Sequence, residues 1–288
     1  MRVLVIGGSG QTGRLVVNEA LRRGHKVTAL IRNASTLPAK EGLTIMKGTP
    51  LEPSNIESAF NAVQGDLPTA VIVTLSSPTE KGTRVMSDAH ENLIAAMKRH
   101  GVSKIATMSS FGVGSSFANI TVIMRWAISN TGLKHSFADH NHVEEILKKS
   151  GLKYVLLKPA RLTMAKKAPV QFLGDDGKGL GVFAGLGGIS RASVAACLVD
   201  AVEKSTWDRS TFTDENEERE EGEKEKEEDE GQEVPSLSGD KFESPLEAET
   251  RRLSRIIHEA SGFNLRKHKV DFDLARIVIA SEASVVTI

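Results

Sequence analysis

An apolar run, Val3-Leu4-Val5-Ile6, ends abruptly at a glycine cluster, Gly7-Gly8-Ser9-Gly10-Gln11-Thr12-Gly13. Gly8, Gly10 and Gly13 satisfy the spacing G-x-G-x-x-G, and Gly7, Gly10 and Gly13 satisfy G-x-x-G-x-x-G. Leu15, Val16, Ala20 and Leu21 then recur at helical spacing, and a second apolar run, Val27–Ile31, follows. Strand, glycine turn and helix in that order make a loop that wraps a pyrophosphate. The first glycine permits the tight turn, the middle one lets backbone approach the phosphates, and the last lets helix and strand pack closely. The free N–H groups and positive dipole end of the helix face the anion. The flanking strands and helix separate such a loop from a glycine-rich turn that binds nothing. The junction therefore predicts a dinucleotide site.

The rest of the first two hundred residues agrees. Val3–Ile6, Val27–Ile31, Leu43–Met46, Ala70–Thr74, Ile105–Met108 and Tyr154–Leu157 are short and almost continuously apolar. Strands covered on both faces by helices read this way, and the long segments between them suit parallel crossovers. The punctuation repeats: Arg22-Arg23-Gly24, Lys98-Arg99-His100-Gly101 and Lys148-Lys149-Ser150-Gly151 each precede a strand. Each reads as a helix C-terminus, with cations at the negative dipole end and a glycine cap. Ser54-Asn55-Ile56-Glu57 has the spacing of a capping box, followed by Ile56, Ala59, Phe60 and Val63 on one face. The expected fold is α/β, a doubly wound parallel sheet of Rossmann type.

The identity of the dinucleotide turns on one position. An acidic residue at the end of the second strand would hold a ribose 2′-OH. This chain has Arg32 there, followed by Asn33, Ser35 and Thr36. A guanidinium is a fixed, permanently charged fork suited to a 2′-phosphate. Arg14, at the start of the first helix, offers a second cation. The expected cofactor is NADP(H).

The formal net charge of zero conceals an asymmetry. Residues 214–233 contain thirteen acidic and three basic side chains, a net of −10, so the remainder carries +10. A basic body suits an anionic ligand. Nucleic acid is not expected, because aromatics make up only 5% and no basic-aromatic patch occurs. The expected organisation is an NAD(P)-binding domain over 1–213, an acidic disordered linker over 214–245, and an extension over 246–288. In that extension Leu246, Leu253, Ile256 and Ile257 suit an amphipathic helix, whereas 272–288 suits helix or strand. The acidic tail is a candidate arm for a protein partner. Cys197 is the single cysteine and reads as a small buried apolar residue. With no signal-like or membrane-length apolar segment, a cytoplasmic protein with no membrane association is expected.

With these residues in view, the chain resembles the atypical short-chain dehydrogenases/reductases with an NAD(P)-binding domain. Within them it is most similar to the flavin reductase/biliverdin reductase B type and the NmrA-like proteins. The resemblance is carried by Gly7–Arg14, Val27–Asn33, Ser109-Ser110, Asp139-His140 leading into Val143–Pro159, and Ile189–Ala195, and it covers residues 1–213. It implies that Gly8, Gly10, Gln11, Thr12 and Gly13 bind the phosphates, and that Arg32, Ser35 and Thr36 surround the 2′-phosphate. It also implies that Thr74 and Leu75 pass under the adenine-ribose side, that Ser109 sits beside the nicotinamide, and that Pro159 shapes its pocket. Two departures fall at the adenine end: Gly48-Thr49 replaces the frequent Gly-Asp, and Thr36 stands where the flavin reductase type has a second arginine.

Hydride transfer is the cofactor's own chemistry, so the protein must orient and exclude. The usual short-chain dehydrogenases add a Tyr-x-x-x-Lys proton donor on a helix. Here the one tyrosine, Tyr154, and its partner Lys158 fall in a predicted strand. Ser109, at the carboxyl end of a strand, is the better site candidate. His140 is the candidate titrating group, with Asp139 to orient it, against the alternative of a surface histidine at a helix start. Metal binding by His140, His142, Glu144 and Glu145 is not expected, since residues two apart on a helix diverge. Trp126 and Trp207 read as packing residues. The glycine-rich stretch from Gly174 to Gly188 suits a loop over the substrate side. The resulting expectation is an NADPH-dependent reductase passing hydride to a small flavin-, quinone- or carbonyl-type acceptor. The alternatives are a non-catalytic NADP(H) sensor of NmrA-like type, and an isomerase or tailoring enzyme on the same fold.

Overall fold

The computed structural model describes residues 1–178 and 188–216. In chain order the elements are β1 (Arg2–Ile6), α1 (Gln11–Arg22), β2 (Lys26–Ile31), β3 (Leu43–Lys47), α2 (Pro53–Phe60), β4 (Ala70–Val73), α3 (Val85–Arg99) and β5 (Lys104–Met108). Then come α4 (Val122–Asn130), α5 (Leu133–Lys149), β6 (Lys153–Pro159), β7 (Leu162–Thr163), β8 (Val170–Leu173), β9 (Ile189–Ser190), α6 (Arg191–Glu203) and β10 (Ser210–Asn216). All six strands expected from the apolar runs form, and α1, α3 and α5 end at the predicted cation-glycine signals. Gly24, Gly101 and Gly151 take the left-handed conformation that ends each helix, at φ of 81°, 67° and 78°.

The main sheet has the order β3-β2-β1-β4-β5-β6-β10-β8. Its members pair in parallel except β8, which runs antiparallel to β10 at the edge. β7 and β9 form a separate parallel pair. The fold is a doubly wound α/β sheet of Rossmann type, with a strand-order reversal between β1 and β4, where ligands bind in such sheets. Strand alternation divides the apolar residues. Val3 and Val5 of β1 join α1 and α6 in one core, while Leu4 and Ile6 join α2, α3 and α5 in the other. Every residue of β1 is buried, which is why its sequence does not alternate.

Several expectations change. Ser54 does not cap α2: the helix starts at Pro53 after Glu52, and Ser54 lies inside its first turn. Proline with its fixed φ starts the helix instead. Glu57 is drawn away from any capping role by Arg99 and by His100, whose Nε2 lies 2.7 Å from its carboxylate. β8 and β10 were not legible, because STFTDEN and VQFL are too polar to read as strands. Asp214, expected to begin a solvated acidic run, is instead completely buried in β10. Trp126 is 45% exposed on α4 rather than a packing residue, whereas Trp207 does pack, against Phe172 and Phe212. Residues 217–288, which hold the rest of the expected acidic linker and the C-terminal extension with its expected amphipathic helix, and 179–187, the middle of the glycine-rich stretch, lie outside the described residues. Among the described residues no helix is long and apolar enough to cross a membrane.

Candidate functional site

The glycine loop leaves β1 at Gly7 with φ +83°. A side chain there would meet the Thr74 backbone at 2.9 Å. The Thr74 hydroxyl in turn lies 3.2 Å from the carbonyls of Ile6 and Gly7 and donates to this pair, so β4 braces the loop from below. Gly10 N–H donates to Gly7 O at 3.0 Å and closes the turn. A Cβ on Gly13 would fall 2.1 Å from Gly7 O, so only glycine lets α1 start this close to the loop. A Cβ on Gly10, by contrast, would meet nothing nearer than Gly7 O at 3.4 Å, which leaves its outer side open. Gly10 caps α1 without any side-chain hydrogen bond, and the first turn holds no acid. The first intrahelical bond is Arg14 N–H to Gly10 O (2.9 Å), so the amides of Gln11, Thr12 and Gly13 have no helical acceptor and point outward. Thr12 and Gly13 are buried and Gln11 is exposed. An open cradle backed by free amides fits a diphosphate.

Arg32 stands exposed where β2 ends. Ser35 and Thr36 follow in a short turn built on Asn33. The Asn33 side chain accepts from the Ser35 amide (3.1 Å) and hydroxyl (2.9 Å), and Thr36 Oγ1 donates to Asn33 O (2.6 Å). This turn fixes the backbone around Arg32 and leaves the guanidinium free to meet an anion. Gly48 itself has a local reason: Asn55 Oδ1 accepts the Thr49 amide at 3.0 Å and fills the space a side chain at 48 would need, whereas nothing in the structure explains Thr49 in place of Asp. Arg14 is turned back, its Nε donating to Ser9 O at 2.9 Å, so it braces the loop. Leu75 is half-buried beside the same edge and packs on the core below.

Ser109 and Pro159 meet next to this edge. The Ser109 amide donates to Leu157 O (2.6 Å) and the Phe111 amide to Pro159 O (3.0 Å), so β5–β6 pairing continues past the strand ends. Ser109 Oγ lies 3.3 Å from His140 Nδ1, and both residues are buried. His140 is in the middle of α5, not on the surface at a helix start. Burial pushes its pKa down to about 4; His90 adds to this and the Asp139 charge opposes it. The imidazole is therefore neutral at ordinary pH, which corrects the expectation that it titrates near neutrality. Asp139 does not orient it. That carboxylate accepts from the amides of Met86 (2.9 Å) and Ser87 (3.0 Å), from Ser77 Oγ (2.7 Å) and from the Ser87 hydroxyl. These partners hold it ionised below the usual carboxylate range against the cost of burial. It caps α3 from α5.

Two buried groups have roles that the sequence does not reveal. His90 lies under Thr107 of β5, with Nδ1 on Met86 O (2.7 Å) and Nε2 on the Thr107 hydroxyl (3.0 Å), and burial lowers its pKa to about 4. Lys158, wholly buried, pairs with Asp175 at 2.6 Å and with Glu144 at 3.0 Å. A lysine after four apolar strand residues was its only signal in the sequence. Tyr154 shares β6 with Lys158, but four residues of strand separate them by about 13 Å, so they form no proton-donating dyad. Cys197 is buried with its pKa pushed up to about 12, chiefly by burial, as an inert thiol requires. No group of residues able to hold a metal occurs among the described residues.

The comparisons agree with this fold. Several solved structures share the fold. The anaerobilin reductase ChuY from Escherichia coli O157:H7 superposes with a TM-score of 0.62 at 20% identity, covering 75% of this chain and 97% of that one. A short-chain dehydrogenase/reductase from Veillonella parvula in complex with NADP gives 0.59 at 18% identity, covering 75% and 94%. Among characterised sequences, the photosystem II assembly factor Ycf39 of Synechocystis is 30% identical over 111 residues, 38% of this chain and 33% of that protein. Phenylcoumaran benzylic ether reductase TP7 of Nicotiana tabacum is 29% identical over 162 residues, 49% and 48%. The chain thus spans about a third to a half of the length of these relatives. The NAD(P)H-binding family model matches residues 7–205, from the first loop glycine through α6, and the chain belongs to that family.

Proposed function

We propose that this protein is an NADPH-dependent reductase that passes hydride to a small conjugated acceptor of the flavin, quinone or activated-carbonyl type. The observation that carries this reading is the Ser109–His140 pair, a hydroxyl held by a neutral imidazole at the carboxyl edge of β5. Bound NADPH supplies the hydride. Ser109 offers its oxygen or its proton to the nicotinamide amide or the acceptor, and His140 fixes which way the hydroxyl points. Neither group carries a proton that is readily given up near neutrality. Acceptors whose reduced form spreads its charge over a conjugated system need no such donor, whereas a simple ketone does.

The phosphate specificity belongs to Arg32, with Ser35 and Thr36 beside it, and the loop Gly7–Gly13 holds the diphosphate. The names of relatives and fold neighbours include an anaerobilin reductase and a phenylcoumaran benzylic ether reductase, which supports the reductase reading. The test is NADPH oxidation followed with FMN, a naphthoquinone and an aliphatic ketone. Turnover with the first two and none with the ketone is expected. Tight NADP+ binding with no turnover on any of them would replace the enzyme reading by that of an NADP(H) sensor.

A further inference from the structure

Arg191 is a cation without a counter-ion among the described residues. It is the first residue of α6 and only partly buried. Among the described residues its guanidinium meets only Met164 Sδ, 3.8 Å from Nη1, and pairs with no carboxylate. Burial alone acts on it, lowering its pKa from the ordinary guanidinium value with nothing to offset the cost. Two other arginines withdrawn from solvent are paired: the partly buried Arg23 with Glu19, Asp200 and Glu203, and the buried Arg2 with Asp66. A guanidinium left half-desolvated and unpaired is a donor fork waiting for an oxyanion.

Its position says where that oxyanion comes from. Arg23, at the C-terminal end of α1, reaches Ala196 O, Asp200 and Glu203 on α6. The ends of α1 and α6 are therefore neighbours, and the two helices pack along one another. Arg23 lies twelve residues after Gln11, and Glu203 twelve after Arg191. The two helices therefore run parallel, which puts Arg191 at the same end of the pair as the first turn of α1 and its phosphate loop. α6 also packs across β4, β5 and β6, and the amide of Ser190, just before it, donates to Asn216 Oδ1 (2.7 Å) at the carboxyl end of β10, so the start of α6 lies at the sheet edge that carries Thr74, Ser109 and Pro159.

We propose that Arg191 is an oxyanion-binding residue of this site, taking a phosphate or carboxylate of the bound ligands. The inference rests on the dinucleotide reading above. Two sources share that chemistry: the diphosphate of the cofactor, and an anionic group on the acceptor.

Arg191→Met and Arg191→Lys separate them by equilibrium titration, without any turnover. For the diphosphate, the ligands are NADP+ and adenosine 2′-phosphate, which lacks it. For the acceptor, FMN and riboflavin are titrated onto NADP+-loaded protein. Arg191→Met should weaken either NADP+ or FMN about tenfold, as loss of one charged hydrogen-bond partner does. Adenosine 2′-phosphate and riboflavin should bind as before, and Arg191→Lys should recover part of the loss. A loss on NADP+ identifies the diphosphate, and a loss on FMN the acceptor. Unchanged binding of both anions, or equal losses on the ligands that lack the anion, overturns the proposal. A wild-type protein that binds no NADP+ would instead defeat the dinucleotide reading itself.

Discussion

Gly13 shows how a single hydrogen atom can decide a site. A methyl group there would overlap Gly7 O at 2.1 Å, and neither backbone segment can move without displacing β1 or α1. Gly13→Ala is expected to cost about 1–3 kcal/mol of stability and to weaken NADP+ binding at least tenfold, read by thermal melting and titration. Unchanged binding would show that the amides of α1 do not hold the diphosphate. Ser109 and His140 carry a different expectation. Ser109→Ala should lower kcat roughly tenfold through loss of one oriented hydrogen bond, and His140→Gln should lower it less. Because burial holds His140 neutral above about pH 4, neither variant should remove a step from the pH–rate profile between pH 5 and 8. A limb near pH 6.5 that disappears in His140→Gln would show an imidazole that does exchange protons, against this account.

At the scale of elements, α3 and α5 are joined by Asp139. Its carboxylate does for α3 what an N-cap residue would do from within the chain, since Arg84 at that position makes no side-chain cap. Asp139→Ala strands the Met86 and Ser87 amides and the Ser77 and Ser87 hydroxyls in a dry interface. The expected loss is about 2–4 kcal/mol in chemical denaturation, with faster amide exchange in the first turn of α3. A variant as stable as the parent would deny Asp139 this role. The same residue shows what the sequence makes legible. β1, the glycine loop and α1 are encoded within about twenty consecutive residues by spacing alone, and they are found where the spacing puts them. So are the three helix ends, because cations and glycine act on the local dipole and backbone. Asp139, His90 and Lys158 are different. Their meaning lies in partners brought together by the fold, and an acid next to a histidine in the chain suggests an orienting pair that a helix turns apart. β10 stayed hidden because its strand character comes from its neighbours β6 and β8 rather than from its own composition.

For the molecule as a whole, the pH dependence of stability is set by buried groups of opposite sign. His90 and His140 are held neutral, with pKa values near 4 in the fold, so they favour the folded state above about pH 6.5 and weaken it as pH falls toward 4. Asp214 does the reverse. It is completely buried in β10, neither carboxylate oxygen has a side-chain partner among the described residues, and burial, opposed by its own backbone amide, raises its pKa from 3.8 to about 7. The folded state then binds more protons than the unfolded chain between about pH 4 and 7, so this group stabilises at the low end and its contribution is lost as pH rises. Asp214→Asn should be more stable than the parent at pH 7.5, on the order of 2–4 kcal/mol, and the difference should shrink toward pH 4. A pH-independent difference in denaturation midpoint would mean that Asp214 is already paired or solvated. None of these contributions touches the glycine loop, whose purpose is settled by binding. Isothermal titration of the protein with NADPH and with NADH, for the parent and for Arg32→Glu, tests that purpose most directly. NADPH should bind the parent at least tenfold more tightly than NADH, and Arg32→Glu should abolish or reverse that preference. Equal or tighter binding of NADH by the parent would contradict the assignment of Arg32 to a 2′-phosphate, and failure to bind either would contradict the site itself.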